Sequence, residues 1–266
     1  MGFAHFPVPC YTVTDPAEGG YTMEKRIPLA GNTATGWLKL IALVFMFCDH
    51  AGKMLLPGVL EMRMLGRIAF PLYCWCMVVG FHYTRSVPKY LLRILLIGLV
   101  SQPLYMLGLN HTWKEPNIFL TLFVALCGLW GMREKWCFSH IWAPVLALAA
   151  SVLLRCDYGW KGVLLVLLLY GARNSRGAIA AVMIAFCLYW GSGSLAVTEF
   201  FGLPLQVLPS PFSQLLIPFL KLQGLAILAL PLMLIRFPKD VKLPAWLGYA
   251  LYPAHLVVLI ILEHIF

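Results

Sequence analysis

The stretch from Leu38 to Leu56 constrains this chain more than any other. Leu40 to Cys48 is wholly apolar, and Asp49, His50 and Lys53 then come within five residues. An acidic or basic side chain at the middle of a membrane helix costs roughly 2.5–3.5 kcal/mol on insertion scales. An acid and an imidazole side by side in such a run therefore mark the centre of a site, and the other helices read as its housing.

The remaining sequence is suited to that housing. Of its 266 residues, 61% are hydrophobic and only 12% charged, with a mean hydropathy of +0.82. Soluble domains carry about 25% charged residues. The expected fold is an all-α, polytopic transmembrane helix bundle of about nine to ten helices. Long apolar runs exclude a membrane β-barrel, whose strands alternate. The net charge of +9 does not imply a nucleic-acid partner, because the basic residues sit in short loops between apolar runs. The partners expected from composition are membrane lipids. The eight cysteines show no CxxC pair and no zinc spacing, so they read as small hydrophobes and no metal is expected. The first 30 residues lack the apolar core of a cleavable signal peptide.

The organisation expected is a flexible N-terminal tail over 1–35 and a single transmembrane domain over 36–266. Thr33 or Thr35 is placed to cap the first helix. Helices are expected over 36–56, 65–83, 89–109, 117–131, 140–154, 160–171, 177–191, 213–235 and 244–264, with 195–208 able to add a short tenth. Helices four to seven are short for a hydrocarbon core of about 30 Å. Loop charge sets the orientation. Lys25, Arg26, Lys39, Arg85, Lys89, Arg93, Arg133, Lys135, Arg173, Arg176, Arg236, Lys239 and Lys242 fall on the side of the N-terminus, and fewer basic residues fall opposite. The bias puts the N-terminus in the cytoplasm, in a multi-pass protein of the plasma or inner membrane.

His50 reads either as a general base or as a helix histidine bonded to a neighbour. Asp49 and Lys53 are four apart in the favourable order for an intrahelical pair. Alternatively, Asp49 pairs with Arg63 or Arg67 and locks the first two helices around His50. Arg67, in Gly66-Arg-Ile-Ala-Phe-Pro71, is either an anion-binding guanidinium or a snorkelling one. Tyr249, Tyr252 and His255 share a face of the last helix, which either meets His50 across a cavity or forms an aromatic belt. Asn117 is either a helix cap or a donor contact. Arg85, Lys89 and Arg93 are either topology charge or a cradle for phosphates.

At these residues the sequence resembles the TraX family of pilin-acetylating membrane proteins. The resemblance is carried by Leu38-Lys-Leu-Ile-Ala-Leu-Val-Phe-Met-Phe-Cys-Asp-His50, by Gly66-Arg-Ile-Ala-Phe-Pro-Leu72, by Asn117-Ile-Phe-Leu and by Tyr252-Pro-Ala-His-Leu256. It runs from about 36 to 264. It implies transfer of an acetyl group from acetyl-CoA to an amino group, and distant kinship with the acyltransferase-three superfamily, whose first-helix histidine is regarded as the base. His50 is the matching position, and Lys39 is the basic residue nearest to that superfamily's upstream arginine.

The expected activity is an acetyl-CoA-dependent membrane acetyltransferase acting on an amine or hydroxyl. The acceptor classes are a protein N-terminus, a sugar, a lipid headgroup or a small amine. The site residues expected are His50, Asp49, Arg67, Tyr252 and His255, with Arg85, Lys89, Arg93 and Asn117 at the donor. Two other readings use the same residues: a proton-coupled carrier with Asp49-His50 as its relay, and a haem held between His50 and His255.

Overall fold

The computed structural model describes residues 10–12, 22–24, 28–200, 202–204, 209–211 and 220–265; for 10–12, 22–24, Ala245, Trp246 and Tyr249 it describes the backbone alone. The fold is all-α. Helices α1 (Thr35–Met54), α2 (Leu60–Gly66), α3 (Ala69–Tyr83), α4 (Val87–Leu109), α5 (Ile118–Glu134), α6 (Ser139–Leu153), α7 (Gly159–Ala172) and α8 (Arg176–Ser192) succeed one another through short turns. A 3-10 helix, Leu222–Ala229, continues into α9 (Leu230–Leu234), and α10 (Ala245–Ile265) closes the bundle. Two small antiparallel pairs, β1 (Cys10–Thr12) with β2 (Thr22–Glu24) and β3 (Glu199–Phe200) with β4 (Leu203–Pro204), complete the described elements.

Helix α3 is apolar on all sides, and such a helix has no face to give to water. It is accordingly the buried centre: Leu72, Cys74, Trp75, Val78 and Phe81 have no accessible surface. Helices α4 and α6 stand at the periphery and behave oppositely. Leu92, Leu95, Leu96, Leu99 and Val100 expose one continuous stripe of α4, and Ile141, Val145, Leu146 and Val152 do the same on α6. Apolar faces of this extent are not left against water by a folded chain. The helical stretches Leu60–Tyr83, Val87–Leu109 and Trp136–Leu153 are each long and apolar enough to cross a membrane. Together these features make the chain a helical membrane protein.

Two sequence expectations are corrected here. The second helix begins earlier and is broken: α2 stops at Gly66, and α3 starts anew at Ala69. Within 195–208, the described residues form the β3–β4 pair, not a helix. The start of the eighth expected helix, 213–219, lies outside the described residues, and its continuation opens with the 3-10 turns of Leu222–Ala229.

Most of the expected tail, 1–35, lies outside the described residues, but its last part, 28–34, is built into the bundle. Leu29 and Asn32 are buried. Asn32 N donates to the Met233 carbonyl at 2.6 Å, its side-chain amide donates to the Leu232 carbonyl at 3.1 Å, and its own carbonyl accepts from Trp75 Nε1 at 2.7 Å. Neither Thr33 nor Thr35 caps α1; Ala34 occupies the cap position. The acceptor comes from the loop before α10, where Asp240 Oδ1 receives the Gly36 and Trp37 backbone N–H groups at 3.0 and 3.2 Å. A carboxylate there also suits the positive end of the helix dipole. Only glycine fits at 36, since a Cβ would lie 1.9 Å from the Val241 carbonyl oxygen.

Candidate active site

Asp49 faces α2 and the joint after it. Arg63 Nε donates to Asp49 Oδ1 at 3.0 Å, and Arg67 Nη2 donates to the same oxygen. The remaining groups of Arg67 are also committed: Nε donates to the Arg63 carbonyl at 3.1 Å and Nη1 to Gln223 Oε1 at 3.3 Å. One guanidinium thus ties α1, α2 and the Leu222–Ala229 helix together, a task for its planar fork. The approach depends on Gly66, where a Cβ would sit 2.2 Å from that of Asp49. Asp49 takes the pairing with Arg63 and Arg67, while Lys53 Nζ lies 2.9 Å from His111 Nε2.

On an adjacent face of α1, His50 meets α10. His50 Nδ1 and His255 Nε2 are 2.9 Å apart, with ring planes within 14° and centroids 5.1 Å apart. This is an edge-to-edge imidazole pair sharing one proton. A metal bonded to two imidazoles needs about 2.0–2.1 Å to each nitrogen, so the pair leaves no room for an ion between its facing nitrogens. Tyr252, one turn before His255, packs edge-on against both His255 and Phe119. The Tyr249 side chain lies outside the described residues.

His50, Asp49 and Tyr252 line one cavity, with an empty space of about 1170 Å³ that includes the solvent at its mouth. His255 is buried behind His50. Lys39, Tyr90, Leu243 and Pro244 line the end nearest the start of α1; Met46, Met77, Ile94 and Leu122 line its flanks; and Tyr105, Asp157 and Tyr158 line the far end. Lys39 and His50 are eleven residues apart on one helix, so the cavity runs along α1 for about 16 Å at 1.5 Å per residue.

The structure separates the other expected donor residues from this space. Arg85, Lys89 and Arg93 are exposed and do not line it. Asn117 caps α5, accepting from Phe119 N at 3.0 Å and donating to the Gly98 carbonyl at 2.8 Å. Gln102 joins it by accepting from Asn117 N at 2.8 Å and donating to the Glu115 carbonyl at 3.1 Å, so this pair fastens α4 to α5.

The TraX protein family matches residues 34–263, which takes in every element from α1 to α10. The chain belongs to the TraX family. It is also 29% identical over 167 residues to a "Probable fimbrial assembly protein FimC, serogroup H1" of Dichelobacter nodosus, covering 57% of this chain and 68% of that one. A second relative, "Uncharacterized protein RP591" of Rickettsia prowazekii (strain Madrid E), is 27% identical over 145 residues, or 52% of this chain and 56% of that one. The chain thus spans little more than half of the length of the Rickettsia protein. No solved structure matches it.

In this TraX chain the sequence reading passed over the far end of the cavity. Asp157 lies between α6 and α7 and accepts from the Tyr105 hydroxyl at 3.5 Å. Tyr105 stacks on His111, whose Nδ1 lies 3.3 Å from Glu115 Oε1. Asp157 is exposed and lines the cavity, where the surrounding protein displaces part of its water. That enclosure pushes its carboxyl up to about 6; His111, Lys53 and Arg67 pull the other way, and Asp49 adds to the rise. Hydrogen bonds from Thr112 hold the neighbouring Glu115 below the usual carboxylate range. The available signal was an acid flanked by two apolar helices, which without tertiary information reads as loop charge.

Proposed function

We propose that this chain is a membrane acetyltransferase that moves an acetyl group from acetyl-CoA to an amine, with His50 as general base. The observation that carries the reading is the His50–His255 pair, because it leaves the second nitrogen of His50 free at the wall of a cavity that also holds Lys39. When His255 Nε2 accepts, His50 keeps its proton on Nδ1 and presents the Nε2 lone pair to the cavity, the tautomer a base requires. Membership in the TraX family supports the same chemistry.

The cavity suits such a donor. Lys39 offers a cation for phosphates at one mouth, and the methionine and leucine flanks accept an uncharged arm. When bound, the donor supplies a thioester carbonyl open to attack. His50 takes the proton that the nucleophile sheds and returns it to the departing sulfur. Tyr252, buried beside the histidines and with no hydrogen bond from its hydroxyl among the described residues, is placed to donate to a developing oxyanion. Asp49, Arg63 and Arg67 hold α1 in register, and His255 fixes the His50 ring; these are positioning residues. On this reading Lys39 takes the phosphate role in place of the exposed Arg85, Lys89 and Arg93, and its end of the cavity faces the cytoplasm.

The test is amine-dependent release of free thiol from acetyl-CoA by the detergent-purified protein. His50→Ala is expected to lower it by about a hundred- to ten-thousand-fold with unfolding temperature retained. His255→Gln, which keeps an acceptor for His50 Nδ1, should recover turnover that His255→Leu loses. Equal turnover in wild type and His50→Ala would remove the histidine from its role.

A further inference from the structure

Asp157 is the acid in the cavity that the Asp49–His50 chemistry leaves unused. It lines the same space as His50. Among the described residues it makes no ion pair, and its one hydrogen bond there is the long contact from Tyr105. The cations nearby are committed elsewhere: Arg67 to Asp49 and Gln223, and Lys53 to His111. The surrounding wall is aromatic. Phe70 and Tyr158 stack face to face at 3.8 Å, and Tyr105 and Tyr252 line the same space. A carboxylate without a partner cation, facing a cavity walled by aromatic rings, is suited to a cation that a ligand brings.

We propose that Asp157, with Tyr105 and Tyr158 beside it, is the subsite that receives the acceptor as a primary ammonium. The proposal rests on the acetyl-transfer reading and narrows it: the acceptor is selected by charge, and a hydroxyl brings no positive charge to Asp157. The ammonium gives one proton to the Asp157 carboxylate and becomes a free amine. Its nitrogen bonds to the thioester carbon, the carbon–sulfur bond breaks, and the second proton passes from nitrogen to His50 and then to the sulfur. The products are an amide, a thiol and one proton, which leaves Asp157 for solvent.

The groups facing Asp157 are Lys53 and Asp49 from α1, Arg67 from the α2–α3 joint, Tyr105 and His111 from α4 and the loop after it, and Tyr158 from its own turn. With Asp157 titrating at about 6 and a peptide α-amino group at about 7.7–8.0, carboxylate and ammonium coexist between about pH 6 and pH 8. Ammonium binding should therefore be strong at pH 7 and weak at pH 5.

The experiment is thermal unfolding of the full chain in detergent at pH 7, with a tripeptide amide bearing a free α-amino group and with its N-acetylated twin. The free peptide should raise the unfolding temperature of the wild type and the blocked peptide should not. Asp157→Asn should lose that response while acetyl-CoA still stabilises it. Equal responses to free and blocked peptide, or an undiminished response in Asp157→Asn, would overturn the proposal. Should that variant fail to fold, the wild type still decides. A free-peptide shift that disappears at pH 5 supports the subsite, and one indifferent to pH overturns it. Acetyl-CoA without effect on the wild type would sink the donor reading alone, since the peptide comparison is read separately.

Discussion

At the scale of residues, adjacent Asp49 and His50 serve different neighbours because successive helix positions point about 100° apart. Asp49 secures α1 to α2 through two arginines, and His50 meets α10. The Asp49 and Arg67 side chains are 15% and 9% exposed, so their charges compensate each other away from water. Removing one member of such a pair leaves an uncompensated buried charge, which costs about 3–5 kcal/mol. Asp49→Asn is therefore expected to lower stability by that amount, measured as the unfolding midpoint in detergent, and to lower turnover because α1 loses its register. An Asp49→Asn protein as stable as the wild type would show that Arg63 and Arg67 do not depend on this carboxylate. The pairing of Asp49 with Arg63 or Arg67 was one of two readings open in the sequence, beside Lys53, and the structure takes the arginines. Asp157 was not legible, since its enclosure depends on α4 and on the α2–α3 joint, both distant along the chain.

At the scale of elements, helix α1 shows where hydropathy stops being informative. Its extent was readable from the apolar run and from Pro57-Gly58 after it. Its cap was not, because Asp240 is 204 residues from Gly36. The α2–α3 break was hidden for a related reason: Gly66-Arg67-Ile68 looks like the interior of an apolar helix until Asp49 is placed against it. The docking of 28–34 likewise depends on α3 and α9, which no local pattern reveals. The Asp240 cap also makes a prediction about function. Replacing a cap of this kind by alanine costs about 0.5–2 kcal/mol, and the fraying stays within the first turn. Lys39 is the first residue after that turn, and His50 lies about three turns further on. Asp240→Ala should therefore raise the KM for acetyl-CoA while leaving kcat near wild type. Asp240→Asn, which keeps an acceptor oxygen, should restore the KM. An equal fall in kcat would mean that the cap supports His50 itself.

At the scale of the whole molecule, the hydrogen bonds define two ends of the bundle. Gly36 with Asp240, Asn32 with Met233, Ala30 with the Arg173 carbonyl and Arg176 with the Leu234 carbonyl all meet at the end where α1 begins. Lys53 with His111 and Tyr105 with Asp157 meet at the other. The helices alternate between these ends, so the turn between α5 and α6 shares the Lys39 end, and the loop between α4 and α5 lies opposite. The first of these turns carries an exposed free thiol, Cys137, beside Arg133 and Lys135. The opposite loop carries exposed Lys114. Because cytoplasmic loops collect Lys and Arg, the Lys39 mouth should face the cytoplasm, where a phosphate-bearing donor would meet it, and Asp157 should sit toward the outer face. A membrane-impermeant maleimide applied to intact cells should then leave the wild-type Cys137 unlabelled and label Lys114→Cys, and permeabilisation should expose Cys137. Labelling of Cys137 in intact cells would invert the molecule. The cytoplasm would then open onto Asp157, and the donor and acceptor ends assigned to the cavity would have to be exchanged.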